Sequence, residues 1–167
     1  MPKVYQAHNF AQPTTAAPVP VTTGTAIKTL LQLAPPSTED ITVVAWGIDF
    51  DGTAAAAPIK VELIDTDVAA TVTAHVASGI VKWNRPNDPA SLVTLSTTAT
   101  GYTASAEGTV GSTSRLLGFR QVPPNGGYEY EFPLENQPRV TSSRFLRIRV
   151  TAAAAVNASC WIRWIED

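Results

Sequence analysis

From Ile27 to Ile165 the chain never sustains a helical period. Its apolar residues recur in short runs at a spacing of two, each closed by proline, glycine or an Asn/Asp-rich stretch. That spacing is the mark of a strand with one face buried. Ile27, Thr29, Leu31 and Leu33 alternate with Lys28, Leu30 and Gln32 until Pro35 and Pro36 end the element. Residues 41–50 are apolar on both alternating sets: Ile41, Val43 and Ala45 on one, Val44, Trp46, Ile48 and Phe50 on the other. This predicts a strand covered on both faces. Asp51-Gly52 is a tight-turn pair, so residues 59–64 are expected to fold back as a hairpin around a loop that includes Ala54 to Ala57. Further strands are expected at 70–77, 91–96, 115–122, 128–133, 145–151 and 157–165. Loop chemistry separates them at 84–89, 97–114 and 123–127. The four alanines from Ala152 read as a hairpin connection. Such a run of short strands specifies an all-β antiparallel sandwich or barrel and excludes a βαβ fold.

The first 24 residues differ. Pro2, Pro13, Pro18 and Pro20 stand among Thr and Ala, and proline's fixed φ and missing N–H exclude helix interiors and central strands. Residues 1–24 are expected to form an extended arm ahead of a domain over 25–167. Val4, Tyr5 and Phe10 are more apolar than a solvated tail requires, so they are its expected anchors, together with Pro13 and Pro18.

Charge narrows the function classes. Only 16% of the 167 residues are charged, with 12 Lys plus Arg against 14 Asp plus Glu, while 24 Ala, 21 Thr and 16 Val dominate. A net charge of -2 excludes a strongly basic nucleic-acid binder, and the hydrophobic fraction of 44% excludes general disorder. The N-terminus has no apolar signal core. No apolar run approaches the roughly 20 residues that span a bilayer, so no membrane partner is expected. Cys160 is the single cysteine; it is expected to be a packed thiol in a reducing compartment.

No constellation for catalysis assembles in the sequence. Asp49-Phe-Asp-Gly-Thr53 matches the opening of dehalogenase-like phosphatases, whose paired aspartates serve as nucleophile and acid around Mg²⁺. That chemistry needs a following helix, a downstream lysine and a later acidic pair on a parallel α/β sheet, but Thr53 is followed by Ala54 to Pro58 and another strand, so a turn with Asp49 facing solvent is expected. Glu62, Asp65, Asp67 and His75 lack metal-site spacing and read as a solvated strand end. His8 and His75 stand apart from any nucleophile elbow. Gly108 to Gly111 lacks the lysine and helix of a phosphate loop. Neither a cofactor nor an enzyme activity is expected. In 128–132 the aromatics Tyr128, Tyr130 and Phe132 share one face and Glu129 and Glu131 the other; in 145–150 Arg147 and Arg149 share a face. If the strands are neighbours, these charges form a cross-strand ladder. Trp83, in an otherwise polar loop, is the candidate partner contact. Trp46, Trp161 and Trp164 lie on strands, as core or subunit interface.

The stretches 27–67, 90–109 (ASLVTLSTTATGYTASAEGT) and 144–164 (RFLRIRVTAAAAVNASCWIRW) resemble small structural proteins from the head-gene region of tailed bacteriophages of actinobacteria. The resemblance spans about residues 20–166. It implies a decoration, or cement, protein with a jelly-roll core similar to tumour-necrosis-factor and C1q-type trimers. It also implies a location in the virion after cytoplasmic assembly, with the major capsid protein and further copies of the chain as partners. An alternative from another class is a carbohydrate- or receptor-binding jelly roll that uses Trp83 and the 97–114 loop.

Overall fold

A computed structural model describes residues 2–53 and 56–166; Met1, Ala54, Ala55 and Asp167, and with them part of the expected 54–57 loop, lie outside the described residues. The strands are β1 (Lys3–His8), β2 (Val21–Thr22), β3 (Lys28–Leu33), β4 (Ile41–Phe50), β5 (Ile59–Thr66), β6 (Thr71–Ala74) and β7 (Ile80–Lys82). They continue with β8 (Gly101–Ala106), β9 (Arg115–Val122), β10 (Gly127–Glu131), β11 (Arg139–Val140), β12 (Phe145–Thr151) and β13 (Asn157–Glu166). One antiparallel sheet runs β10-β4-β13-β1-β7, with β11 also on β4 and β2 also on β13; the other runs β6-β8-β3-β12-β5-β9. The two pack face to face as a β-sandwich. At its centre β10-β4-β13-β1 faces β3-β12-β5-β9, and the chain crosses between sheets at β2–β3, β3–β4, β4–β5, β6–β7, β7–β8, β9–β10, β11–β12 and β12–β13, the alternation of a jelly roll.

The core explains the register. Tyr5 and Ala7 of β1, and Ala158, Cys160, Ile162 and Trp164 of β13, meet Leu31, Val61, Leu63 and Ile148 of the facing sheet, all fully buried. Each large aliphatic side chain there contributes about 1.5–3 kcal/mol. The second apolar set of β4 has a different origin from a second covered face. Its register with β13 steps from Ala45↔Arg163 to Val43↔Trp164, leaving Val44 as an extra residue. A bulge reverses which side chains point inward, so Ile41 and Val43 before it and Trp46, Ile48 and Phe50 after it all enter one core.

Other expectations change because pairing is set across the sandwich. Residues 59–64 do not fold back on β4: both edges of β4 are taken by β10, β11 and β13, and β5 joins the opposite sheet. The 152–155 connection likewise crosses between sheets instead of closing a hairpin. The Glu129/Glu131–Arg147/Arg149 ladder does not form, since β10 and β12 belong to different sheets. Arg149 instead bonds Glu62, its register partner on β5, at 2.7 Å, and the fully buried Arg147 pairs with Glu107. Residues 91–96 form no strand; Glu166 holds them by accepting from Ser91 Oγ and, at 2.8 Å, from the Leu92 amide. The expected loop 97–114 contains β8. Trp46 and Trp164, 1% and 0% exposed, are core residues of this chain and have no surface to offer a subunit.

The arm is the largest correction. Lys3–His8 is an inner strand of the first sheet, hydrogen-bonded to β13 on one side and β7 on the other. Tyr5 lies in the core and Val4 is buried, so neither is available as a capsid anchor. Asn9 ends the strand: its amide donates to Cys160 O at 3.0 Å, and its side chain bonds Ala158 O and the Cys160 amide. Between Asn9 and β2, residues 10–20 run without regular structure.

Candidate recognition face

The outward side of the first sheet collects the aromatic and charged residues that the core does not use. Register places Gln6, Arg163, Ala45 and Glu131 in one row across β1, β13, β4 and β10. His8, Trp161, Gly47 and Glu129 form the next. Gly47 is required there. A Cβ on it would come within 2.8 Å of Trp161 Cε2 and Nε1 and 2.9 Å of Cζ2, so the indole lies flat over the glycine and is only half-buried.

Arg163 organises the rest. Gln6 Oε1 accepts from its Nε at 3.1 Å and its Nη2 at 2.9 Å. The Trp83 ring covers the guanidinium at 3.6 Å and the Trp161 ring lies 5.1 Å away, which gives two cation–π contacts. Trp83 itself is tied down by its amide, which donates to Val4 O at 2.8 Å. Burial lowers the Arg163 pKa, while the carboxylates of Glu131 and Glu129 act in the opposite direction. A cleft of about 220 Å³ opens beside this stack, lined by Ala45, Glu129, Tyr130, Glu131, Trp161 and Arg163.

Of the residues nominated from sequence, the structure brings Trp83 and Trp161 together through Arg163. Trp83 follows the edge strand β7 of the first sheet, whereas β8 of the 97–114 stretch lies in the second. Arg163, Gln6 and Gly47 were missed. The alternation in β13 places Trp161 and Arg163 on one face, but nothing local shows that Gln6, from the far end of the chain, sits beside them.

The other candidates have separate fates. Asp49 is exposed, and Asp51 accepts from the amide and side chain of Asn157, each at 3.1 Å. Asp65 is fully buried between Arg115 and Arg144 rather than solvated. Glu62 serves Arg149, and His75 bonds the His8 carbonyl at 2.7 Å. A wider groove of about 390 Å³ near Thr23 to Lys28 has its ionisable groups committed: Lys28 donates to Thr22 O, and Glu107 bonds Thr29 and Arg147. Cys160 is fully buried, which pushes its thiol pKa well up.

A second surface is the 10–20 segment. Phe10 stacks on His8 with centroids 5.1 Å apart. From Ala11 onward the side chains are exposed, apart from the half-buried Pro13; Pro18 is among them and Val19 is 71% exposed. Among the described residues no helix is long and apolar enough to cross a membrane. No family model, no curated protein and no solved structure matches the chain.

Proposed function

We propose that the protein is a non-enzymatic structural component of a bacteriophage virion, a decoration protein that binds the head surface through its 10–20 segment and reinforces the major capsid protein there. The observation that carries this reading is the eleven-residue excursion between Asn9 and β2. It leaves the sheet at a pinned asparagine, returns to β13 through β2, and exposes Pro18, Val19 and Pro20 to a partner. Prolines lower the entropy lost when such a segment orders on binding. The jelly-roll core supports the same reading, as does the sequence resemblance to phage head proteins. Self-association as a trimer belongs to the proposal, with the edge strand β9 as its surface: among the described residues β9 pairs only with β5, and it exposes Leu116 and Phe119.

The test is co-sedimentation with heads assembled from the major capsid protein. Wild-type protein should pellet with the heads. A variant with residues 11–19 replaced by a Gly-Ser linker, its melting temperature unchanged, should stay in the supernatant; full occupancy by that variant would sink the anchor. The linker replacement leaves β1 in its sheet, which a deletion of residues 1–24 would not. Sedimentation velocity reads the trimer directly, and a single monomeric species up to high concentration would exclude it.

A further inference from the structure

The cleft between β10 and β13, above β4, joins three features. Trp161 lies over Gly47, half-buried, with the Arg163 guanidinium 5.1 Å from its ring centre. The side chains of Glu129 and Glu131 are exposed across from it and form no hydrogen bond or ion pair among the described residues. Arg163 is held between them and Trp83 by Gln6. The stack is therefore ordered before any ligand arrives, which reduces the entropy that binding must overcome.

We infer that this cleft is a binding site for a neutral saccharide, with one pyranose ring stacked on Trp161 and its hydroxyls shared among Glu129, Glu131 and Arg163. The charges decide the ligand class. A cationic side chain would be drawn to the two carboxylates but repelled by Arg163 in the same wall. A phosphate or sulfate would be drawn to Arg163 and repelled by both glutamates. A polyol donates hydroxyl protons to the carboxylates and accepts from the guanidinium, using every polar group in the cleft. Its axial C–H face supplies apolar contact for the indole. The volume, about 220 Å³, falls below the roughly 300–1,000 Å³ of pockets that enclose drug-sized ligands. One ring of a longer chain fits such an opening. This inference does not rest on the virion reading, and its test uses the isolated protein.

The experiment titrates the protein with maltohexaose, cellohexaose, mannohexaose and a β-galacto-oligosaccharide, following tryptophan emission and calorimetric heat. Saturable binding to at least one is expected, unchanged between 50 mM and 500 mM salt because the ligand carries no charge. Trp161→Ala should weaken it by about tenfold or more, the loss of an aromatic contact. Gly47→Ala keeps the indole but displaces it and should weaken binding comparably, while Thr71→Ala, exposed on β6 of the opposite sheet, should leave it intact. Melting curves establish that each variant is folded. Absence of binding to all four sugars overturns the proposal. So does binding that survives both Trp161→Ala and Gly47→Ala. Salt-sensitive binding of trilysine in place of the sugars would reassign the cleft to a basic peptide.

Discussion

Gln6 and Arg163 are register partners on neighbouring strands, and the glutamine oxygen accepts two hydrogen bonds from the guanidinium, at 3.1 and 2.9 Å. This one buried amide fixes the plane on which Trp83 rests. Gln6→Leu keeps the volume and removes the acceptor. Hydrogen bonds to charged groups contribute about 1.5–3 kcal/mol; with Arg163 half-exposed, a loss of about 1 kcal/mol is expected in urea unfolding. Acrylamide quenching of tryptophan emission should rise as Trp83 loosens, and unchanged quenching would show that Trp83 is held by its backbone alone.

Trp46 and Trp164 are core residues, so truncating either to Ala should cost about 3–5 kcal/mol. The loss should be the same at all protein concentrations. A destabilisation that shrinks as concentration rises would place them at an interface instead.

Arg147 is fully buried and is satisfied by Glu107, by Thr29 Oγ1 at 2.8–3.0 Å and by Val68 O at 3.0 Å. Removing one partner of a buried ion pair strands the other charge, so Glu107→Gln should cost about 3 kcal/mol. Arg147→Met combined with Glu107→Leu should recover most of that in the same denaturation assay. A double variant worse than the single one would contradict this account.

His8 and His75 join the end of β1 to the opposite sheet, through His75 Nε2 and the His8 carbonyl at 2.7 Å. Burial lowers both pKa values. The neighbouring His75 lowers that of His8 further, while the bond to the His8 carbonyl acts in the opposite direction on His75. The unfolded chain therefore binds more protons just below its ordinary value of about 6.5. Stability is fully present above that pH and falls as the pH drops from there through the folded-state values. Urea midpoints between pH 7.5 and 5.5 should decline, and His75→Gln should flatten the decline.

Cys160, buried and with its pKa raised, should resist a disulfide reagent in native buffer and react once the chain is unfolded in guanidinium. Rapid labelling of folded protein would mean that the β13 end of the sandwich opens locally.

Much of this architecture was legible from residue pattern. Strands 41–50, 115–122, 145–151 and 157–165 were placed to within a residue or two, because alternation and turn residues are local properties of the chain. The aromatic and acidic faces of β10 were legible for the same reason. The strand at the start of the expected arm is hidden in the sequence because Pro13, Pro18 and Pro20 dominate the segment, whereas the strand is six residues long and shows itself only beside β13. The site was half legible. Trp83 and Trp161 stand out as aromatics, but Arg163, Gln6 and Gly47 acquire meaning only from one another.

Local residue pattern is enough to establish that the chain is all-β, where most strands begin and end, and that it is poor in charge. Tertiary structure alone decided which strands are neighbours, that Val44 reverses the phase of β4, that residues 3–8 complete a sheet begun by residues 157–166, and that a glutamine, two tryptophans and an arginine share one face. The reason is physical. Alternation follows from the backbone of a single strand, whereas pairing follows from burying both sheets at once, a condition that no local stretch of residues contains.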